Sequence, residues 1–87
     1  MQTVFVVTFH TDTGTPHVLG AFISGSDAVE HATRYVQQRI RDIPDERWVS
    51  INSWHWQMSC YSDAGRLVSE ARVRIHRTDL IKPIIPE

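Results

Sequence analysis

Trp54-His55-Trp56-Gln57-Met58-Ser59-Cys60 and Leu67-Val68-Ser69-Glu70-Ala71-Arg72-Val73 both alternate with period two, and Ser62-Asp63-Ala64-Gly65 joins them. Strict alternation is the pattern of a strand buried on one side only. Turn residues between two such runs predict a hairpin. Setting Tyr61 opposite Arg66 fixes a register: Cys60 faces Leu67, Met58 faces Ser69, Trp56 faces Ala71 and Trp54 faces Val73. Each bulky residue then meets a small or β-branched one on the same face, the pairing that stabilises a sheet. Both tryptophans turn inward under this register. The other face carries His55, Gln57, Tyr61, Arg66, Glu70, Arg72 and Arg74.

Working outward, Thr3 to Phe9 is β-branched and aromatic, a strand by composition. A loop at Thr11-Asp12-Thr13-Gly14-Thr15-Pro16 leads to a second strand, His17 to Ser24. Pairing His10 with His17 puts Phe5 opposite Phe22, Val6 opposite Ala21 and Phe9 opposite Val18. This first hairpin is apolar on both faces. Phe5, Val7, Phe9, Val18 and Phe22 line one; Val4, Val6, Leu19, Ala21 and Ile23 line the other. One face takes a helix, and the other is expected to meet the C-terminal tail, a second copy or a partner.

That helix is predicted from Ser24-Gly25-Ser26-Asp27, where serine caps the first turn and Asp27 suits the positive end of the dipole. Ala28, Val29, Ala32, Val36, Ile40 and Ile43 form one stripe, with Glu30, Arg34, Gln37, Gln38 and Arg41 opposite, and Pro44 stops the element. Trp48-Val49-Ser50-Ile51 begins a third strand. Its apolar parity switches between Ile51 and Trp54, so a bulge or bend is expected at Asn52-Ser53. The fourth strand runs from Arg66 to about His76 with Leu67, Ala71, Val73 and Ile75 inward. The predicted fold is therefore α+β, order β-β-α-β-β, with one antiparallel sheet and a single helix packed across one face. Residues 1–77 form the domain. Residues 78–87 form an extended, apolar, proline-punctuated tail.

At 87 residues the chain is one domain with a thin core. A hydrophobic fraction of 41% and a charged fraction of 22% are ordinary for a globular protein. A net charge of −1 gives no global signature for nucleic acid or anionic membrane. Locally the balance differs: Arg66, Arg72, Arg74 and Arg77 stand against Glu70 alone. One cysteine rules out an internal disulfide, and Cys60 falls on the predicted core face. The opening residues lack a basic region and a long apolar run, and no stretch is apolar enough to span a bilayer. These features together predict a cytoplasmic protein.

Chemistry-bearing constellations are few. His10, His17 and Asp12 would be neighbours around the first loop, but their spacing matches no recognised metal site, so no metal or other cofactor is expected. The register buries Cys60 and turns His55 away from it, which denies a thiol nucleophile its base. No paired carboxylates or glycine-rich phosphate loop are present, and the chain is not expected to be an enzyme. The outer face of the second hairpin is the candidate contact surface: Arg66, Arg72, Arg74, His55 and Tyr61, with Trp48 the tryptophan expected to be most exposed. Arginines beside an aromatic and a histidine can hold phosphates and stack on bases, so a nucleic-acid-binding module using this face is the alternative reading.

The run Val4-Phe5-Val6-Val7, then Gly20-Ala21-Phe22-Ile23-Ser24, then Ala28 in a helix, resembles very short proteins of phages and mobile elements. That group includes anti-CRISPR proteins and other inhibitors of host defence. The resemblance covers about the first 35 residues and carries over no functional residue. It implies a non-catalytic protein that occupies a surface on a larger assembly, a phage-type inhibitor of a host defence complex such as a CRISPR ribonucleoprotein. Many such inhibitors mimic DNA through strong acidity, and this near-neutral chain does not. A homodimer is also expected, through Val4, Val6 and Leu19 on the first hairpin and Ile81, Ile84 and Ile85 in the tail.

Overall fold

In a computed structural model that describes residues 2–12 and 14–80, the chain forms β1 (Gln2–Thr11), β2 (His17–Phe22), α1 (Gly25–Asp42), β3 (Arg47–Asn52), β4 (His55–Tyr61) and β5 (Leu67–Leu80). The fold is α+β, with one helix packed against a five-stranded antiparallel sheet of order β2-β1-β5-β4-β3. The fold class agrees with the sequence reading. The strand count does not, because the expected third strand is two strands.

The split falls at the parity switch. Asn52 pairs with His55 across a two-residue turn, Ser53-Trp54, so the chain reverses there instead of bending. Asn52 Oδ1 accepts the Trp54 N–H at 2.8 Å, a local side-chain turn that needs no glycine. Downstream of the turn, β4 and β5 pair two residues away from the predicted register. Trp56 faces Val73, Met58 faces Ala71 and Cys60 faces Ser69, and a shift between Cys60 and Tyr61 brings Tyr61 opposite Leu67. A slip of two preserves parity, so β4 keeps its predicted faces up to Cys60. The turn itself is held by Ser62 N–H to Arg66 O (2.8 Å) and Gly65 N–H to Ser62 O (2.9 Å), with Gly65 at φ +77°.

The first hairpin follows the predicted pairing for Phe5–Phe22 and Val6–Ala21, then departs from it. A shift after Val7 sets Thr8 opposite Val18 and Phe9 opposite His17. The bulge exchanges two side chains. Leu19, expected on the free face as a dimer contact, packs against the core, and Val18 is turned out to 69% exposure. It also separates His17 from His10, whose partner is Arg72 on β5.

β5 is longer than expected. Thr78, Asp79 and Leu80 continue it, paired with Val4, Thr3 and Gln2, so the regular domain does not end at residue 77. The expected contact residues Ile81, Ile84 and Ile85 lie outside the described residues.

Helix α1 starts where the sequence places it. The Ser24 hydroxyl accepts from the Asp27 N–H, and Ile43 closes the C-terminus through its N–H to Arg39 O. Ala28, Ala32 and Val36 are buried against Val7, Phe9, Trp56, Met58, Ala71, Val73 and Ile75. Ile40 and Ile43, at the end of the predicted stripe, are largely exposed. The helix end is fastened by another device. Glu46, its side chain only 7% exposed, accepts from Arg39 Nη2 at 2.6 Å, Arg39 Nε at 3.2 Å and Trp48 Nε1 at 3.2 Å. The Arg39 guanidinium also sits 5.3 Å over the Phe9 ring. Trp48 is accordingly half-buried against the core, contrary to expectation, because its indole N–H is held by a buried carboxylate. Trp54 is the more exposed at 38%, lying edge-on to Phe5 with ring centroids 5.6 Å apart. Leu67, expected inward, is also exposed, as are Val49 and Ile51 on the edge strand β3.

Candidate functional site

Phe5, Val7 and Phe9 of β1 and Ala71, Val73 and Ile75 of β5 lie on the helix side. Val4, Val6, Thr8 and His10 and Arg72, Arg74 and His76 alternate with them on the other face, on which no other element lies among the described residues. Directly opposed residues of an antiparallel pair share a face, so the pairings assemble this open face row by row. One row crosses all five strands: Val18, Thr8, Arg74, His55 and Asn52. On one side of it lies His10, Arg72, Gln57 and Val49. On the other lies Ala21, Val6 and His76. Three histidines and two arginines therefore occupy three consecutive rows with no carboxylate among them. Glu70 begins the next row, with Ser59 and Arg47.

At the centre is Thr8, a buried polar residue, 8% exposed. Its Oγ1 lies 2.7 Å from His10 Nε2 and 2.9 Å from His76 Nε2, and it donates to Arg74 O at 3.5 Å. A hydroxyl has one proton to give. With that proton directed to Arg74 O, both imidazoles must donate to the hydroxyl. The rings of His10 and His76 sit edge to face, centroids 5.9 Å apart. Thr8 thus orders two histidines that come from different strands.

Burial and neighbouring cations lower the pKa of two imidazoles on this face, His10 and His55. Partial burial depresses the pKa of His10 below its ordinary 6.5, and the neighbouring His76, Arg72 and Arg74 depress it further. His55 is lowered in the same way, by burial first and then by Arg74 and Arg72, and its buried Nε2 has no hydrogen-bond partner among the described residues. Ion pairs among the described residues engage Arg34 and Arg39, not Arg72 or Arg74. The exposed guanidiniums of Arg72 and Arg74 are therefore available to an external anion.

Of the residues singled out from the sequence, Arg72, Arg74 and His55 come together here. Arg66 does not. It lies in the turn before β5, six positions from Arg72 and so about 20 Å along the strand. Tyr61 pairs with Leu67 beyond the register shift instead of standing beside Arg66, and Trp48 belongs to the Glu46 network. Val4 and Val6 lie on the open face, half-buried. Sequence reasoning missed Thr8 and His10 as members of this group. The available signal was polarity: Thr8 and His10 interrupt the even positions of an otherwise apolar strand. No three His, Cys, Asp or Glu side chains converge as a metal site requires, among the described residues. Compared with known protein families, curated proteins and solved structures, the chain matches none.

Proposed function

We propose that the protein is a non-catalytic binding protein that uses the open sheet face to cover an anionic surface of a larger assembly. The observation that carries this reading is the acid-free block of His10, His55, Arg72, Arg74 and His76 on a face with no second layer among the described residues. Cationic groups held on a rigid sheet lose little freedom when a partner docks. An inhibitor of a CRISPR-like host defence ribonucleoprotein, the class that the opening strands and the start of the helix resemble, would act in this way, by occupying a surface and performing no reaction.

Retention on an immobilised polyanion tests the reading. The wild-type chain is expected to be held at low salt, and the double reversal Arg72→Glu/Arg74→Glu to pass through with its circular dichroism unchanged. Equal retention of the two proteins would remove the open face from any binding role.

A further inference from the structure

The chemistry of the anion can be taken further, and this step rests on the binding role just proposed. Arg72, Arg74 and His76 lie at alternate positions of one central strand, so their side chains repeat every ~7 Å along the open face. The line is flanked on both sides: His10 stands opposite Arg72 on β1, and His55 stands opposite Arg74 on β4. It ends where carboxylates begin, at a cavity of about 20 Å³ lined by Thr11, Asp12, Gln57, Glu70, Ala71 and Arg72. That cavity has room for roughly one water and none for a phosphate ion. The cations are thus spaced along a strand and not gathered around that cavity, and their line suits an extended ligand with a repeating negative charge.

We propose that single-stranded nucleic acid lies along β5 on the open face, its phosphates held by Arg72, Arg74 and His76 and its bases turned toward the imidazoles of His10 and His55. Guanidinium forks match phosphate oxygens. Flat imidazole rings are among the side chains on which unpaired bases stack. A duplex fits less well, because reading its grooves takes a helix or ribbon that protrudes, and none stands on this face among the described residues. The Thr8 hydroxyl has a positioning role, since it fixes the His10 and His76 rings beside the track. An acidic protein surface is the competing partner, and the test separates the two.

Fluorescence anisotropy with labelled oligouridylate and oligothymidylate of about ten nucleotides, within the ~4–16-nucleotide span of sheet-based single-strand sites, reads the binding directly. Labelled polyglutamate of matched charge runs beside them. Expected is saturable oligonucleotide binding whose log K falls with log salt at a slope of about −1.4 to −2.1, the value for two to three phosphates on a single strand. Arg72→Gln/Arg74→Gln should weaken it roughly tenfold or more, and Thr8→Val several-fold. Arg34→Gln/Arg41→Gln, on the outer face of the helix, should leave it unchanged. Polyglutamate bound as tightly as the oligonucleotides, or bound alone, overturns the nucleic-acid assignment and leaves the anionic-partner reading standing. Binding of none of the three probes overturns both. Equal losses from the helix pair and the strand pair overturn the placement on β5.

Discussion

The two faces of β5 differ by a single step along the chain. Ala71, Val73 and Ile75 lie under the helix and are buried, and Arg72, Arg74 and His76 alternate with them on the open side. On the covered side the determinant is volume, with small Ala71 opposite Met58 and Val73 opposite Trp56. On the open side it is charge, concentrated where no ion pair consumes it among the described residues. One strand thus supplies the rigidity of the core and the chemistry of the surface together. Rigidity at Val73 is what holds Arg72 and Arg74 in line.

The sharpest way to break this comparison is to move charge across it. Val73→Asp places an unpaired carboxylate at a fully buried position. It should cost on the order of 5 kcal/mol and leave the chain unfolded in a urea titration. Arg74→Asp, one residue away on the open face, should change the unfolding free energy by no more than about 0.5–1 kcal/mol. Next in size is the buried ionic contact between Glu46 and Arg39. Glu46→Gln removes the charge that Arg39 and Trp48 share, and should cost about 1–3 kcal/mol. A double-mutant cycle with Arg39→Ala checks that this loss belongs to the pair.

The bulge in β2 sharpens the comparison further. Leu19→Ser should destabilise by about 1–2 kcal/mol, as burial against the core implies, and Val18→Ser by less than about 0.5 kcal/mol. Inverted values would mean that the hairpin pairs without its shift. The smallest effect expected is on pH. His10 has a folded pKa below 6.5, so protons bind the unfolded chain more readily. Stability from this group is full above pH 6.5 and falls as pH drops through the lower folded value. Urea midpoints measured down this window should decline, and His10→Gln should flatten the decline. Affinity for a polyanion should move the opposite way, because a bound phosphate offsets the repulsion among His10, His76, Arg72 and Arg74, with Glu70 the nearest carboxylate row.

The alternation from Trp54 to Cys60 and from Leu67 to Val73 was enough to read the fold class and to place Trp56, Met58, Arg72 and Arg74 on the correct faces. It survived a misread register because a displacement of two residues leaves every side chain on its own side. Three things were hidden. Bulges at Leu19 and beside Tyr61 depend on local backbone geometry that no residue type announces. The reversal at Ser53-Trp54 lacks glycine and proline, and its signal was one asparagine whose side chain makes the turn. Above all, the neighbour of β5 on its far side is a tertiary fact. Only when β1 takes that place do His10 and Thr8 meet His76 and Arg72, and no spacing within either segment reports it.

The pairing of β1 with β5 has a consequence for how the molecule assembles. Gln2 waits for Leu80 and Thr11 for Ala71, so the longest ladder in the sheet closes only across most of the chain's contour. Closing such a loop precedes any reward from the contacts it makes, which predicts slow folding for a domain of this length. During synthesis the first hairpin emerges without its neighbour. Its valine-rich strand offers an unoccupied ladder edge until the ribosome has released the other end, and misassembly between nascent chains is most probable in that interval.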